Sequence, residues 1–406
     1  MIKIKIPDVQ GGVLNTEFGN GNLGKKYRNS VSFPIKWSKV KGARSYCVTL
    51  IDYEASGAMG VVFVHWIAAN IKKNKLKWDD SFNQKAQIAQ FENSVTDKAS
   101  MYLLEAFYQE HPNGVYYGPF PPDTDHNYRL EVYALDVDDI FHGQPHNGNG
   151  LFYDDFLELI KNNVIDYGIT SFLYRSRTEF KNQQLIEKNL TPQQLSAPLS
   201  QDIEFFKSFD QINFSSHALS ARANDYHLLN IDFLGRQGAS GLYSARSFDL
   251  EIYCDNQQVV EYVVLVSSFA EVNSLGVGLI NWVKVGIEKN QNHYKTRIEA
   301  QKDSWDSDTD EIKISNSFDS LSAAKIAQIS GFENAGVFDF VKQGYGIIYF
   351  PLLTNGQGKY VLEIFGIDEK IDWKQLQSEK TLNAADVLRA IKAKVVAYNK
   401  TIFKLL

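Results

Sequence analysis

The feature that most constrains this chain is that it writes nearly the same strand twice. "VVFVHWIAANI" runs over Val61–Ile71 and "VGLINWVKVGI" over Val277–Ile287. With Tyr46 set on Tyr262, an offset of 216 residues, "YCVTLIDYEASGAMGVVFVHWIAANI" lies on "YVVLVSSFAEVNSLGVGLINWVKVGI" without a gap. Three more blocks keep the order. "SFPI" at Ser32 lies on "SFDL" at Ser247, Tyr116–Asp136 on Ile348–Asp368, and Phe156–Phe172 on Val387–Phe403. Ordered matches of this kind read as a duplicated domain. The length of 406 residues fits two domains of about 100–200 residues each. The sequence therefore divides into a domain over 1–178, a polar, Gln-rich linker over 179–204, and a second domain over 205–406. Within the linker, Thr191-Pro192 marks the start of a short helical turn.

Each copy reads as mainly β. Tyr46–Asp52, Val61–Ile71, Met101–Tyr108 and Tyr128–Leu135 are β-branched and aromatic runs bounded by turn residues. Tyr128–Leu135 alternates apolar and polar residues, the pattern of a half-buried strand. A helix closes each copy. In the second, Asn383 caps "AADVLRAIKAKVVAY", with Val387, Leu388, Ile391 and Val395 on one face.

Composition excludes several classes. A formal net charge of −6 argues against a nucleic-acid binder, although the first 77 residues hold 13 Lys/Arg against 4 Asp/Glu. That basic excess reads as solvated strand faces and edges. Two cysteines, Cys47 and Cys254, cannot make a Cys-rich zinc site and imply no disulfide framework. No run reaches membrane-span length, and "MIKIKIPDVQ" is not a signal peptide. The expected location is cytoplasmic. "GNGNLG" (Gly19–Gly24) lacks the strand–helix context of a dinucleotide site. "DSWDSDTDEI" has Glu311 and Ser317 where a calcium loop needs Gly and Glu. His142 and His146 have no third ligand nearby in sequence, and no nucleophile elbow is present.

The residues that carry chemistry lie in the first copy. An imidazole in a strand as apolar as "VVFVHWIAANI" needs a hydrogen-bond partner or suffers desolvation. Alone, His65 reads as a satisfied core histidine. Asp52 ends the preceding strand and can reach a histidine on a neighbouring one. A carboxylate on one ring nitrogen fixes the tautomer and points the other outwards as a donor. His126 and Tyr128, two apart on a strand, face the same side. With His65 they offer three donors, which suits a phosphate or carboxylate. Gly118 lets a loop backbone come close to such an anion.

Four separated motifs carry a family resemblance. They are Asp52-Tyr53-Glu54-Ala55-Ser56, His65-Trp66, Gly118-Pro119-Phe120-Pro121-Pro122 and His126-Asn127-Tyr128. Over Ser32–Asp136 the chain resembles the phosphatidylethanolamine-binding protein family, also called the Raf kinase inhibitor protein family, and most its bacterial branch. The usual prolines of the first motif are missing, its second Asp is Glu54, and Asn127 stands where Arg is usual. The resemblance implies two tandem domains, each a large antiparallel sheet packed on a smaller one with peripheral helices. It also implies a small anion pocket whose ligand-binding residues are Asp52, Glu54, His65, Gly118, Pro119, His126 and Tyr128. In the second copy Asp52, Glu54, His65, Gly118 and His126 are replaced by Ser268, Ala270, Asn281, Phe350 and Gly358, while Tyr128 is kept as Tyr360. The strand hydrophobicity is retained and the donors are lost.

The leading expectation is a binding protein for a phosphate-like small ligand or lipid headgroup, with the pocket in the first domain only. The alternative is a protein-interaction regulator of the kinase- or protease-inhibitor kind, with the pocket incidental. A hydrolase using Asp52 and His65 has no nucleophile or metal to call on, so no enzyme and no cofactor are expected. Relatives that pair as two-fold dimers imply that the two copies pack as a pseudo-dimer within one monomeric chain.

Overall fold

The computed structural model describes residues 1–19, 31–83, 87–99, 114–181, 184–197, 205–216, 219–220, 227–229, 236–237, 243–245, 249–269, 272–290, 295–298, 312, 314–317, 347–349 and 358–404. The expected strand Met101–Tyr108, residues 20–24 of the glycine-rich stretch, the acidic run at 303–311, Ala270 and Phe350 lie outside them. The chain forms two compact units. One comprises Met1–Ala58, Val62–Phe205 and Val272–Val277; the other comprises Met59–Val61, Phe206–Glu271 and Gly278–Leu406.

In the first unit the strands are β1 (Ile4–Lys5), β2 (Val9–Gln10), β3 (Val13–Leu14), β4 (Ile35–Trp37), β5 (Ser45–Asp52), β6 (Phe63–Ile71), β7 (Lys75–Leu76), β8 (Ala89–Gln90), β9 (His126–Leu135) and β10 (Val164–Tyr174). A seven-stranded sheet runs β2-β3-β10-β9-β5-β6-β8, and a three-stranded sheet runs β1-β4-β7. The core between them is aromatic and branched: Ile35, Trp37, Val48, Leu50, Trp66, Leu130, Val132 and Phe172. Side chains of a strand alternate between faces, so every second residue of β5 and β9 feeds this core.

The expectation that Tyr128–Leu135 is half-buried is corrected. All ten residues of β9 are buried, including Arg129 and Glu131. The polar face is covered because its groups are partnered: Arg129 lies 4.2 Å over the Tyr53 ring, and the Tyr133 hydroxyl donates to Glu131. Residues expected to be a linker also carry structure. Thr178–Lys181 pairs with Gln184–Glu187, and a helix over Pro192–Ser196 is capped by Thr191, whose hydroxyl accepts from Gln194 N–H. Leu195 is buried, and Ser196 Oγ accepts from Thr16 N–H at 3.1 Å.

The second unit repeats the central order. Val395–Lys404, Lys359–Ile367, Glu261–Ser268 and Leu279–Glu288 are neighbours in one sheet, as β10, β9, β5 and β6 are in the other. Asn213–Ser215, Leu250–Tyr253 and Lys295–Ile298 form a three-stranded sheet. Tyr128 stacks on Phe172 at 5.8 Å, and Tyr360 on Phe403 at 5.4 Å. A left-handed residue occupies the same place in both second strands, Asn70 (φ 59°) and Gly286 (φ 71°).

The closing helices are shorter than expected, and neither is the last element of its copy. Tyr153–Ile160 leads into β10, and Ala384–Ile391 leads into Val395–Lys404. Asn383 caps as expected, in a capping box with Asp386. Ala393 then turns left-handed (φ 60°), and Val395, Val396 and Tyr398 favour the sheet, where branched and aromatic side chains pack.

Candidate functional site

The end of β5, the start of β9 and the middle of β6 bring the chemistry together. In the β5–β6 ladder Leu50 faces Trp66 and Ile51 faces Val64, so His65 is the extra residue of a bulge. A bulge bends its strand and re-aims a side chain, which is why an imidazole can sit here without displacing the core. Ser94 pins the bulge: Val64 N–H donates to its Oγ at 2.9 Å, and Ser94 N–H donates to the Val64 carbonyl at 2.8 Å.

The expected Asp52–His65 hydrogen bond is replaced by another pairing. Asp52 Oδ2 accepts from His126 Nδ1 at 2.8 Å, and Oδ1 accepts from Ala55 N–H at 3.0 Å. The second His126 nitrogen, Nε2, donates to Asp123 Oδ1 at 2.7 Å. His126 is completely buried between the two carboxylates. Burial alone would hold its proton off, but the Asp52 charge, with the Asp123 and Asp52 hydrogen bonds, outweighs that and raises it to about 10. Burial likewise opposes ionisation of Asp52, yet the His126 charge and hydrogen bond bring it below the usual carboxylate range. His126 is therefore an imidazolium with both N–H groups committed, and the expected convergence of three donors on an anion does not form.

His65 has a different environment. Its Nδ1 lies 3.0 Å from the Tyr117 carbonyl, an obligate acceptor, so the proton sits on Nδ1. Phe63, Tyr117 and Tyr128 surround the ring, with centroids at 4.8, 6.1 and 5.1 Å. Burial pushes its basicity down to about 4, against the smaller opposing pull of Asp52. The Tyr128 hydroxyl accepts from Phe120 N–H at 3.2 Å and hydrogen-bonds Asp52. Glu54 accepts from Asn127 Nδ2 at 2.9 Å, so the pair that departs from the family motif is matched to itself.

The loop bearing Gly118 and Pro119 is held on both sides. Ser176 Oγ donates to the Pro121 carbonyl at 3.0 Å, and Ser176 N–H donates to Asp125 at 2.8 Å. Beneath it Gly19 has no room for a side chain, since a Cβ there would lie 2.5 Å from the Pro119 oxygen. Of the predicted residues, Asp52, His65, His126 and Tyr128 come together, the Gly118 backbone hydrogen-bonds the His65 ring, and Glu54 lies behind with Asn127. Asp123 was not foreseen. Its signal is its place three residues before His126, in a Pro-Pro-Asp loop.

At the matching place of the second unit, Val266 faces Trp282 and Ser267 faces Ile280, so Asn281 is the extra residue of a bulge. Ser317 pins it as Ser94 does, with Ile280 N–H donating to its Oγ at 2.7 Å. Ser268, Asn281 and Tyr360 are all fully buried. Among the described residues no group of three or more His, Cys, Asp or Glu could hold a metal, and no helix is long and apolar enough to cross a membrane. His146 Nδ1 accepts from Gly148 N–H at 2.9 Å, a local loop bond.

A seven-stranded sheet backed by a three-stranded one thus carries a buried carboxylate–imidazolium–carboxylate chain where β5 ends and β9 begins. Residues 6–175 match the family model described as phosphatidylethanolamine-binding protein. The Bacillus subtilis protein YxkA is 32% identical over 139 residues, which cover 33% of this chain and 76% of YxkA. The chain belongs to the phosphatidylethanolamine-binding protein family. Escherichia coli YbcL, described as a member of the mammalian family, is 18% identical over 44% of this chain and 99% of its own, with a TM-score of 0.31. The Chlamydia trachomatis homolog CT736 is 20% identical over 43% of this chain and 97% of its own, with a TM-score of 0.29.

Proposed function

We propose that the chain is a binding protein for a small phosphoryl-bearing ligand, with one site, in the first unit, and no catalytic step. The observation that carries this reading is the contrast between two histidines that both feel the charge of one carboxylate. His126 is fixed as a charged strut between Asp52 and Asp123, while His65 stays neutral with Nδ1 anchored on Tyr117. In this reading Asp52, Asp123, His126 and Tyr128 are the frame. His65 Nε2 and the backbone around Gly118 and Pro119 face the ligand, and Glu54 supports the frame through the charge it places on His126. Asp52, the carboxylate that an acid–base pair with His65 would need, is committed instead to His126 and to Ala55 N–H. The second unit is read as a degenerate copy that keeps the bulge and strand order without the titratable groups, and the two units as the products of a duplication. Heteronuclear NMR of the full chain with a phosphate monoester tests this. The expected shifts fall at His65, Tyr117 and Gly118; shifts confined to the second unit, or none at millimolar ligand, would overturn it.

A further inference from the structure

We propose, resting on the phosphoryl reading above, that the site takes its ligand as the singly protonated monoester and draws a proton from solvent when the free ligand is a dianion. The ground is what the pocket can and cannot donate. With Nδ1–H spent on the Tyr117 carbonyl, His65 Nε2 presents a lone pair. Both His126 N–H groups are spent on Asp52 and Asp123. The Tyr128 hydroxyl is engaged by Phe120 N–H and Asp52. The charged groups that act on the His65 ring are Asp52 from β5 and the His126 imidazolium from β9; Asp123 from the Pro-rich loop and Glu54 act on His126, and the ring's neighbours Phe63 and Tyr117 bring no charge.

A dianion brings acceptors only, and would meet a lone pair and the Asp52 carboxylate. A P–O–H supplies the missing donor, to Nε2 or to Asp52, while the charge left on the monoanion is offset by the His126 imidazolium, whose field reaches the His65 ring. The balance is one proton from solvent added to one dianion; no bond to phosphorus changes. Placing that proton on the ligand is cheaper than placing it on the ring. A phosphate monoester gains its proton near pH 6, roughly, whereas burial holds His65 down at about 4.

The test is calorimetry on the full chain with methyl phosphate, at about pH 8 and about pH 5, in two buffers of different ionisation enthalpy. Methyl sulfate is the control, since it matches the protonated monoester in shape and charge and lacks only the hydrogen. The expected result is about one proton taken up per methyl phosphate at the higher pH and close to none at the lower. Affinity should fall about tenfold per pH unit above the ligand's own titration, and methyl sulfate should bind at least tenfold more weakly. Methyl phosphate binding without proton uptake at the higher pH would overturn the inference alone. So would methyl sulfate binding equally well, or with uptake of its own, because the proton would then lie on the ring or nowhere. Absence of methyl phosphate binding at both pH values would instead overturn the phosphoryl reading, and this inference with it.

Discussion

At the same bulge of the same strand, the first unit carries His65 and the second Asn281, each pinned by a serine from a later segment. Beside His65 stand the Asp52 carboxylate and the His126 imidazolium, with Asp123 on the imidazolium's other nitrogen. Around Asn281 the matching positions are Ser268 and Gly358, with the tyrosine kept. The backbone device and the chemistry placed on it are therefore separable. A bulge is held by backbone hydrogen bonds and by the serine that satisfies them, so it forms with or without titratable groups beside it. The opposite face shows the same economy. Glu131 accepts from Tyr133 in one unit and Glu363 from Tyr398 in the other, the donor coming from the same strand in the first case and from the neighbouring strand in the second.

The sharpest way to break the comparison is to remove the imidazolium. His126→Ala leaves Asp52 and Asp123 buried without their shared cation and should cost about 3–5 kcal/mol. Urea unfolding measures the loss, and hydrogen exchange should assign it to the first unit's sheet. A loss below about 1 kcal/mol would mean that the His126 clamp is not charged. Next come the serines. Ser94→Ala and Ser317→Ala each strip a buried backbone N–H of its acceptor, and each should cost about 1–3 kcal/mol. The account requires the two losses to be alike; a cost in one unit only would dissolve the structural equivalence of the bulges.

Stability against pH separates the units next. His126 is raised to about 10 from an unfolded value near 6.5, so its contribution is full below about 6.5 and is lost as pH rises towards 10. His65 is lowered to about 4, so the unfolded chain binds the extra proton between about 4 and 6.5, and stability falls as the solution is acidified through that range. The first unit should be most stable near pH 6.5, a maximum that His126→Ala blunts on the alkaline side; exchange rates across pH for strands β5 and β9 would show it. The smallest effect is expected at Gly286→Asn, which writes the first unit's left-handed Asn70 into the second. A Cβ there meets Ile312 at 3.6 Å and Trp373 at 3.8 Å, ordinary contacts, and Asn bears the left-handed backbone better than most side chains, so the loss should stay within about 1 kcal/mol by thermal unfolding. A loss of several times that would show the two turns to differ.

Much of this frame is legible in sequence. The runs at Tyr46–Asp52, Val61–Ile71 and Tyr128–Leu135 are strands because branched and aromatic residues leave them no other stable role. The pairing inside the site is not legible. Asp52 can reach either histidine by residue type alone, and the choice depends on His126 opening β9 beside it, a matter of register. Asp123 is hidden for a similar reason, since a carboxylate in a Pro-rich loop looks like a solvated turn until the strand behind it is placed. The helix end before Val395 carries no glycine, and Ala393 adopts the left-handed turn in its stead, so the stop has no local mark.

In the function proposed above, one bulge of the two holds a working site. Calorimetric titration of the full chain with methyl phosphate tests it most directly, run on the native protein, on His65→Asn and on Asn281→His. One ligand per chain is expected, with at least a tenfold loss for His65→Asn and no change for Asn281→His. Two ligands per chain, or a His65→Asn variant that binds as the native protein does, would contradict it.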